Sequence, residues 1–337
     1  MVTSTRLSYD LSKGEKQNLT SSTCPPLWVQ YLDKSTLSRI LIFVILSYTI
    51  ALILDVIMIS FYTPMILWLW GSIRMWSVAL SVVICLIMFK EDVVSRIKWF
   101  LKLSKRVVVY YLLAPTIAYL ALGVYVAITM PLGLFNFDIY VDMLTETIKA
   151  QIPSMSDVEL KALASVAAYS QLFLGYVAAI SINALFALGE EIGWRGYLYH
   201  LLGSRPSIRS IVVVGALWGL WHASAIAILG YDYPINRLLG IALFTMLTIA
   251  TTFPHLLLVT VSSSIIPAAS LHGAINALWS LTVVASNLPL EQREVLLGLG
   301  AIGIITWTII TIALHLTTQR IMHGHQALMQ NIEYSSN

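Results

Sequence analysis

Eight apolar stretches, each long enough to cross a hydrocarbon core about 30 Å thick, constrain this chain more than any other feature. They run Ile40–Tyr62, Met65–Phe89, Val107–Met130, Leu160–Leu188, Ile208–Leu229, Leu238–Val261, Ile265–Ser286 and Val295–Thr318. Only 11% of the 337 residues are charged, against 58% hydrophobic. A soluble domain carries roughly a quarter charged residues, so a water-facing shell cannot be assembled from this set. The expected fold is all-α, a polytopic membrane bundle of about eight transmembrane helices. Arg74 interrupts the second stretch and is expected to mark the start of its helix, and Pro254 should kink the sixth.

Residues 1–39 are polar and read as a cytoplasmic N-terminal tail without the apolar core of a signal peptide. Three spans occupy 40–130, a five-helix region occupies 160–318, and a C-terminal tail runs from 319 to 337. Phe137–Lys149 has the pattern of an amphipathic helix on the outer surface. Cys24 lies in the polar tail and Cys85 in an apolar run, so neither a disulfide nor a metal-binding cysteine pair is expected.

Orientation follows from the basic residues, because loops rich in Lys and Arg stay in the cytoplasm. Fifteen of the twenty fall on one side: five in the N-terminal tail, six between Lys90 and Arg106, then Arg195, Arg205, Arg209 and Arg320. The opposite loops hold Asp138, Asp142, Glu146, Asp157, Glu159, Asp232, Glu291 and Glu294. Both termini are then cytoplasmic, as an even number of spans requires. A net charge of +3 is too small for a nucleic-acid surface. The lipid bilayer is the expected environment, and no nucleic acid is expected as a partner.

Ionisable groups inside a bilayer cost about 2.5–3.5 kcal/mol each on insertion scales, so their positions are informative. Gly189-Glu190-Glu191-Ile192-Gly193-Trp194-Arg195-Gly196 closes the fourth stretch. Glu191 and Arg195 share a helix face and can pair. Glu190 is rotated about 100° from Glu191 and is left without a local partner. Taken alone, the cluster also fits two acids that end a helix in interfacial water.

Trp218-Gly219-Leu220-Trp221-His222 lies in the fifth stretch and His272-Gly273-Ala274-Ile275-Asn276 in the seventh. His272 and Asn276 project from one face. A lone membrane histidine is more often an interhelical hydrogen-bonder, the reading given to His255 and His315. His200, His323 and His325 read as interfacial or tail residues. Glu190, His222, His272 and Asn276 are different: they come from three helices of one bundle and have no other evident partners. Small residues accompany them at four-residue spacing, as in Gly189/Gly193, Gly215/Gly219 and Ala269/Gly273, which lets helix backbones approach closely.

The order Glu-Glu-x-x-x-Arg (Glu190, Glu191, Arg195), aromatic-x-x-x-His (Trp218, His222) and His-x-x-x-Asn (His272, Asn276), each on its own helix, resembles the type II CAAX prenyl endopeptidases. These are also called CPBP intramembrane proteases. The resemblance covers about Ser181 to Ser286, within a catalytic region of 160–318. The second motif usually opens with Phe, and here Trp218 stands in its place as another large aromatic support. The resemblance implies an endopeptidase acting on a membrane-associated peptide or a prenylated protein.

It further implies that Glu190 and His222 activate water, that His272 and Asn276 form an oxyanion hole, and that Glu191, Arg195 and Trp218 orient the site. No cofactor is then needed. A zinc site of Glu190, His222 and His272, with Glu191 as base, is the alternative. A transporter or scaffold would use the same buried groups for ion binding or packing, but transporters tend to carry internal repeats and none is found. Because Glu190 would end an outside-to-inside helix, substrate access is expected from the cytoplasm or the inner leaflet.

Overall fold

The computed structural model describes residues 33–61 and 63–335, and among them every regular element is helical. In chain order the first membrane helices are α1 (Lys34–Ile59), α2 (Pro64–Met88), and α4 (Lys105–Leu113) continuing into α5 (Pro115–Thr129), with short α3 (Val93–Phe100) between α2 and α4. Then come α6 (Phe137–Gln151), α7 (Asp157–Ala179), α8 (Ile182–Glu191), a π-helical segment (Ile192–Leu198) and α9 (Tyr199–Leu201). The remainder is α10 (Ile208–Trp221), α11 (Ala223–Leu229), α12 (Arg237–Ser262), α13 (Ile266–Leu278), α14 (Leu281–Val284), α15 (Leu290–Leu296) and α16 (Ala301–Ser335).

Among the described residues, seven helical segments are long and apolar enough to cross a membrane: α1, α2, α4 with α5, α7, α10 with α11, α12, and α15 with α16. Helix α13 is too short for that measure, and it occupies the seventh expected stretch with α14 beyond it. Most of its residues, from Pro267 through Ala274 and again Leu278, are buried against its neighbours. It packs against α4, α5, α7, α8 and α12 and completes the bundle of about eight spans.

Helix α1 shows how the outer helices divide their faces. Its buried positions, Ile40, Phe43, Ser47, Ala51, Asp55 and Met58, recur at three- and four-residue spacing on one stripe. Leu41, Ile45, Leu52, Ile53 and Val56 stay exposed, as suits a lipid-facing surface.

Several boundaries differ from expectation. Helix α2 starts at Pro64 behind the Thr63 N-cap, so Arg74 sits well inside the helix. The fourth stretch is not one helix to Leu188: it breaks at Ile180–Ser181, where Ser181 has φ −135 and ψ −104. Polar side chains satisfy the break, since Tyr111 donates to the Ile180 carbonyl at 2.9 Å and Asn183 donates to the Gly273 carbonyl at 3.1 Å. Glu190 does not end its helix either, because the backbone continues through the π segment to α9. The last span, Leu290–Ile321, contains the expected stretch, and its helix α16 continues through the expected tail to Ser335.

Phe137–Gln151 is a helix capped by Asn136, and it buries Tyr140 and Val141. Pro254 lies inside α12. It lacks an N–H for the Ala250 carbonyl, which instead accepts the Thr311 hydroxyl of α16 at 2.7 Å. Cys85 is buried and free, and Cys24 lies outside the described residues. His323 and His325 have side chains outside the described set.

Close backbone approach brings the site together. A Cβ on Gly189 would stand 2.7 Å from Trp76 Cα and 2.8 Å from the Met75 carbonyl oxygen, both backbone atoms of α2. Replacing Gly189 with valine is expected to destabilise the protein by at least 1–3 kcal/mol, roughly the cost of overpacking. Thermal unfolding in micelles reads this directly, and an unchanged Tm would mean that α2 and α8 do not pack in this way.

Candidate active site

Two ends of the bundle can be told apart by contacts between loops. At one end Ile265 N–H donates to the Phe100 carbonyl at 3.1 Å, Arg96 meets His200 at 3.3 Å, and Arg39 pairs with Glu91. This end carries Lys90 to Arg106, Arg205 and Arg209. At the other end Asn136 N–H donates to the Ala285 carbonyl at 2.9 Å, and Glu294 accepts from the Ile235 and Asn236 N–H groups at 3.1 and 2.7 Å.

Glu190, His222, His272 and Asn276 line one cavity of about 500 Å³ between α2, α8, α10, α12 and α13. Glu190, His222 and His272 are buried, whereas Asn276 is exposed on the cavity wall. Each reaches the cavity by a local device. Helix α10 stops at Trp221, and His222 occupies the joint before α11. A Cβ on Gly219 would stand 2.5 Å from Thr245 Cα, so only glycine lets this joint press against α12. Glu190 is set by the close packing of α8 on α2, and His272 and Asn276 lie one turn apart on α13.

Hydrogen bonds then divide the polar atoms into those that are held and those left to the cavity. The Trp218 indole N–H donates to one carboxylate oxygen of Glu190 at 2.6 Å, leaving the other to the cavity. His222 Nδ1 lies 3.0 Å from the Trp218 carbonyl. A carbonyl can only accept, so Nδ1 carries the proton and a neutral His222 presents an Nε2 lone pair. Glu191 Oε1 accepts from Arg195 at 3.0 Å and meets His272 Nδ1 at 2.9 Å. The pairing of Glu191 with Arg195 is as expected, and the same carboxylate also orients His272, as carboxylates orient imidazoles elsewhere. The Arg195 guanidinium lies 4.0 Å from the Trp218 ring centroid, so Trp218 packs against both charged layers of the site.

The other histidines divide similarly. His255 does not bridge helices: its Nδ1 pairs with the Thr251 carbonyl one turn back at 2.8 Å. Its ring lies 6.1 Å from His272 and 5.8 Å from Trp218, directly behind the site. His315 stacks edge-on to Phe253 at 5.6 Å, and His200 packs on Trp99 at 4.8 Å near the basic end.

A second polar unit was missed in the sequence, where the first three spans carried no assigned motif. Arg74 lines the cavity and binds Asp55 of α1 through Nε at 2.8 Å and Nη2 at 3.2 Å. Arg74 Nη2 also donates to the Trp221 carbonyl at 2.8 Å, and Ser224 donates to Asp55 at 2.6 Å. Trp221 immediately precedes His222, so this unit grips the joint that aims the histidine. Its signal was present: an acid and a base, each inside a separate apolar stretch.

Among the described residues no group of three His, Cys, Asp or Glu side chains is placed to hold a metal ion. Glu190 is bonded to an indole N–H, and the Nδ1 atoms of His222 and His272 are both engaged by protein oxygens.

The exposed lining residues of the cavity are Tyr231, Asp232, Asn276 and Ser280, and none of its lining residues comes from 89–104, 202–207 or 263–265. The cavity therefore opens away from the basic end. The π segment Ile192–Leu198, buried at every residue, lies on the basic side of this cavity, and its Arg195 and Gly196 also line a second cavity of about 400 Å³ with Trp99, Lys102 and Tyr199.

Residues 170–278 match the family model described as type II CAAX prenyl endopeptidase Rce1-like, and all three motifs fall inside that stretch. The chain is also similar to CAAX prenyl protease 2 of Methanococcus maripaludis, at 37% identity over 62 residues. That match spans 18% of this chain and only 23% of the relative's length. No solved structure matches the chain.

Proposed function

We propose that this chain is an intramembrane endopeptidase that hydrolyses a membrane-associated peptide with water activated by Glu190 and His222, without a metal. The observation that carries this reading is the convergence of Glu190, His222, His272 and Asn276, from three helices, on one cavity. A water held between the free Glu190 oxygen and His222 Nε2 would lose a proton as it attacks the scissile carbonyl. The oxyanion would accept hydrogen bonds from the Asn276 amide and from Nε2 of a protonated His272, whose Nδ1–H is held by Glu191. One such donor is typically worth about 3–4 kcal/mol of barrier. The proton taken from water would then pass to the leaving amine. The apolar wall of Phe244, Leu247, Trp279 and Trp307 suits a substrate with apolar side chains.

Cleavage of a membrane-associated reporter peptide by the purified protein in micelles tests the activity. His222→Ala is expected to remove it while the protein stays folded. The wild-type protein is expected to keep its activity after prolonged dialysis against a strong chelator at fixed pH. Loss of activity that returns on adding zinc would overturn the metal-free mechanism, because zinc on three protein ligands is removable and restorable.

A further inference from the structure

The second cavity, of about 400 Å³, is bordered by the end of α3, the π segment, α9 and the end of α12. Its polar side chains include Arg195, Lys102, His200, Ser204, Thr260 and Ser263, and none of the described residues that line it is acidic. Lys102 is exposed and forms no ion pair among the described residues. Arg195 is only 1% exposed, and it lines this cavity but not the larger one.

The guanidinium of Arg195 is only partly engaged by protein. Its Nη1 donates to Glu191 at 3.0 Å, and the Trp218 ring centroid lies 4.0 Å from the group. Nε and Nη2 are buried and have no hydrogen-bond partner among the described residues. In a rigid planar guanidinium these two N–H groups share one edge and point in parallel, the fork that grips two oxygens of an oxyanion. Buried donors are rarely left unpaired, so this edge calls for an acceptor.

The surroundings say which acceptor is at hand. Helix α3 joins the ends of two spans, and it exposes Val94 and Trp99 at 60% and 52%, with Leu103 beyond it at 73%. Exposed Trp and aliphatic side chains interleaved with Arg96 and Lys98 mark the membrane–water interface. The abundant anion at that level is the phosphodiester of a phospholipid, and basic pockets between membrane helices bind such head groups.

We propose that the second cavity binds the phosphate group of an anionic phospholipid, with the Nε–Nη2 edge of Arg195 holding two of its oxygens and Lys102 adding a second positive charge. The site does not depend on the peptidase reading, since it needs no chemistry at Glu190 or His222.

Thermal unfolding of the full chain in nonionic micelles, titrated with dioleoyl phosphatidylglycerol or with zwitterionic dioleoyl phosphatidylcholine, tests the site. Phosphatidylglycerol is expected to raise Tm saturably, as a ligand of the folded state does, and to do so more than phosphatidylcholine at equal mole fraction. Lys102→Gln should raise the lipid concentration needed about fivefold, the effect of one basic residue near a lipid surface, and leave Tm unchanged without lipid. Lys98→Gln, on α3 but outside the cavity, should have a smaller effect. Equal effects of the two variants would overturn the proposal, because they would show charge attraction without a site. Arg195→Lys keeps the charge and removes the fork, and it should weaken protection by about tenfold or more, as for a lost hydrogen bond to a charged group. A folded Arg195→Lys protein that is protected normally would also overturn the proposal. If that variant does not fold, the comparison of Lys102→Gln with Lys98→Gln decides. Protection by inorganic phosphate, or by a short peptide with a free C-terminal carboxylate, where phosphatidylglycerol gives none would overturn the lipid assignment.

Discussion

Glu190→Gln is expected to lower peptide hydrolysis by about three orders of magnitude, in the middle of the range that a positioned general base contributes. Glutamine keeps the shape of the side chain, and its amide oxygen can still accept the Trp218 indole N–H that now binds Glu190 at 2.6 Å. What it loses is the negative charge and the capacity to take a proton. Folding should survive, with a Tm near that of the unaltered protein.

Glu191→Gln should behave differently. Glu191 accepts from both Arg195 and His272 through one oxygen, and its side chain and that of Arg195 are fully buried. Neutralising it leaves the Arg195 charge uncompensated, a change that typically costs about 3–5 kcal/mol. The two variants are therefore separated by a melting curve as well as by turnover. A Glu190→Gln protein that hydrolyses the reporter at the normal rate would remove Glu190 as base. A Glu191→Gln protein that is well folded and wholly inactive would shift that role to its neighbour.

Much of this arrangement is legible in the sequence. The apolar stretches predict the spans because burial in lipid demands length and hydropathy, and both are written locally. The Glu191–Arg195 pair was legible because helical spacing alone puts the two on one face. The break at Ile180–Ser181 was not, because it is stabilised by Tyr111 and Asn183 reaching between helices, and Ile180 and Ser181 do not look like a break. The π segment was hidden for the same reason: Ile192–Leu198 becomes buried at every residue only through the helices packed around it. That segment carries the chain past Glu190 to α9. Asp55 and Arg74 were visible as charges inside apolar stretches, but their partnership depends on α1 and α2 lying side by side.

The Asp55–Arg74 unit carries the other large expected effect. Both side chains are nearly or fully buried, at 0% and 4% exposure. Arg74→Ala would leave the Asp55 carboxylate with only the Trp70 N–H at 3.2 Å and the Ser224 hydroxyl. Breaking a buried pair from one side costs about 3–5 kcal/mol, so a marked fall in Tm is expected for Arg74→Ala and for Asp55→Ala alike. Arg74→Lys should rescue little, since a single ammonium cannot bond both Asp55 oxygens and the Trp221 carbonyl in the fixed geometry of a guanidinium.

The double variant Asp55→Asn/Arg74→Gln removes both charges together and is expected to recover most of the lost stability. It should not recover turnover. Helix α10 ends at Trp221, and the Arg74 guanidinium both donates to the Trp221 carbonyl and lies 3.8 Å from the Trp221 ring centroid. Without it the His222 joint is free to shift, and misplacement by even about 1 Å can cost two orders of magnitude in rate. The expected signature is a Tm close to that of the unaltered protein, a kcat lowered by about tenfold or more, and a KM little changed. A double variant with normal kcat would show that Arg74 only packs the bundle, and that the aim of His222 is set by α12 and Gly219 alone.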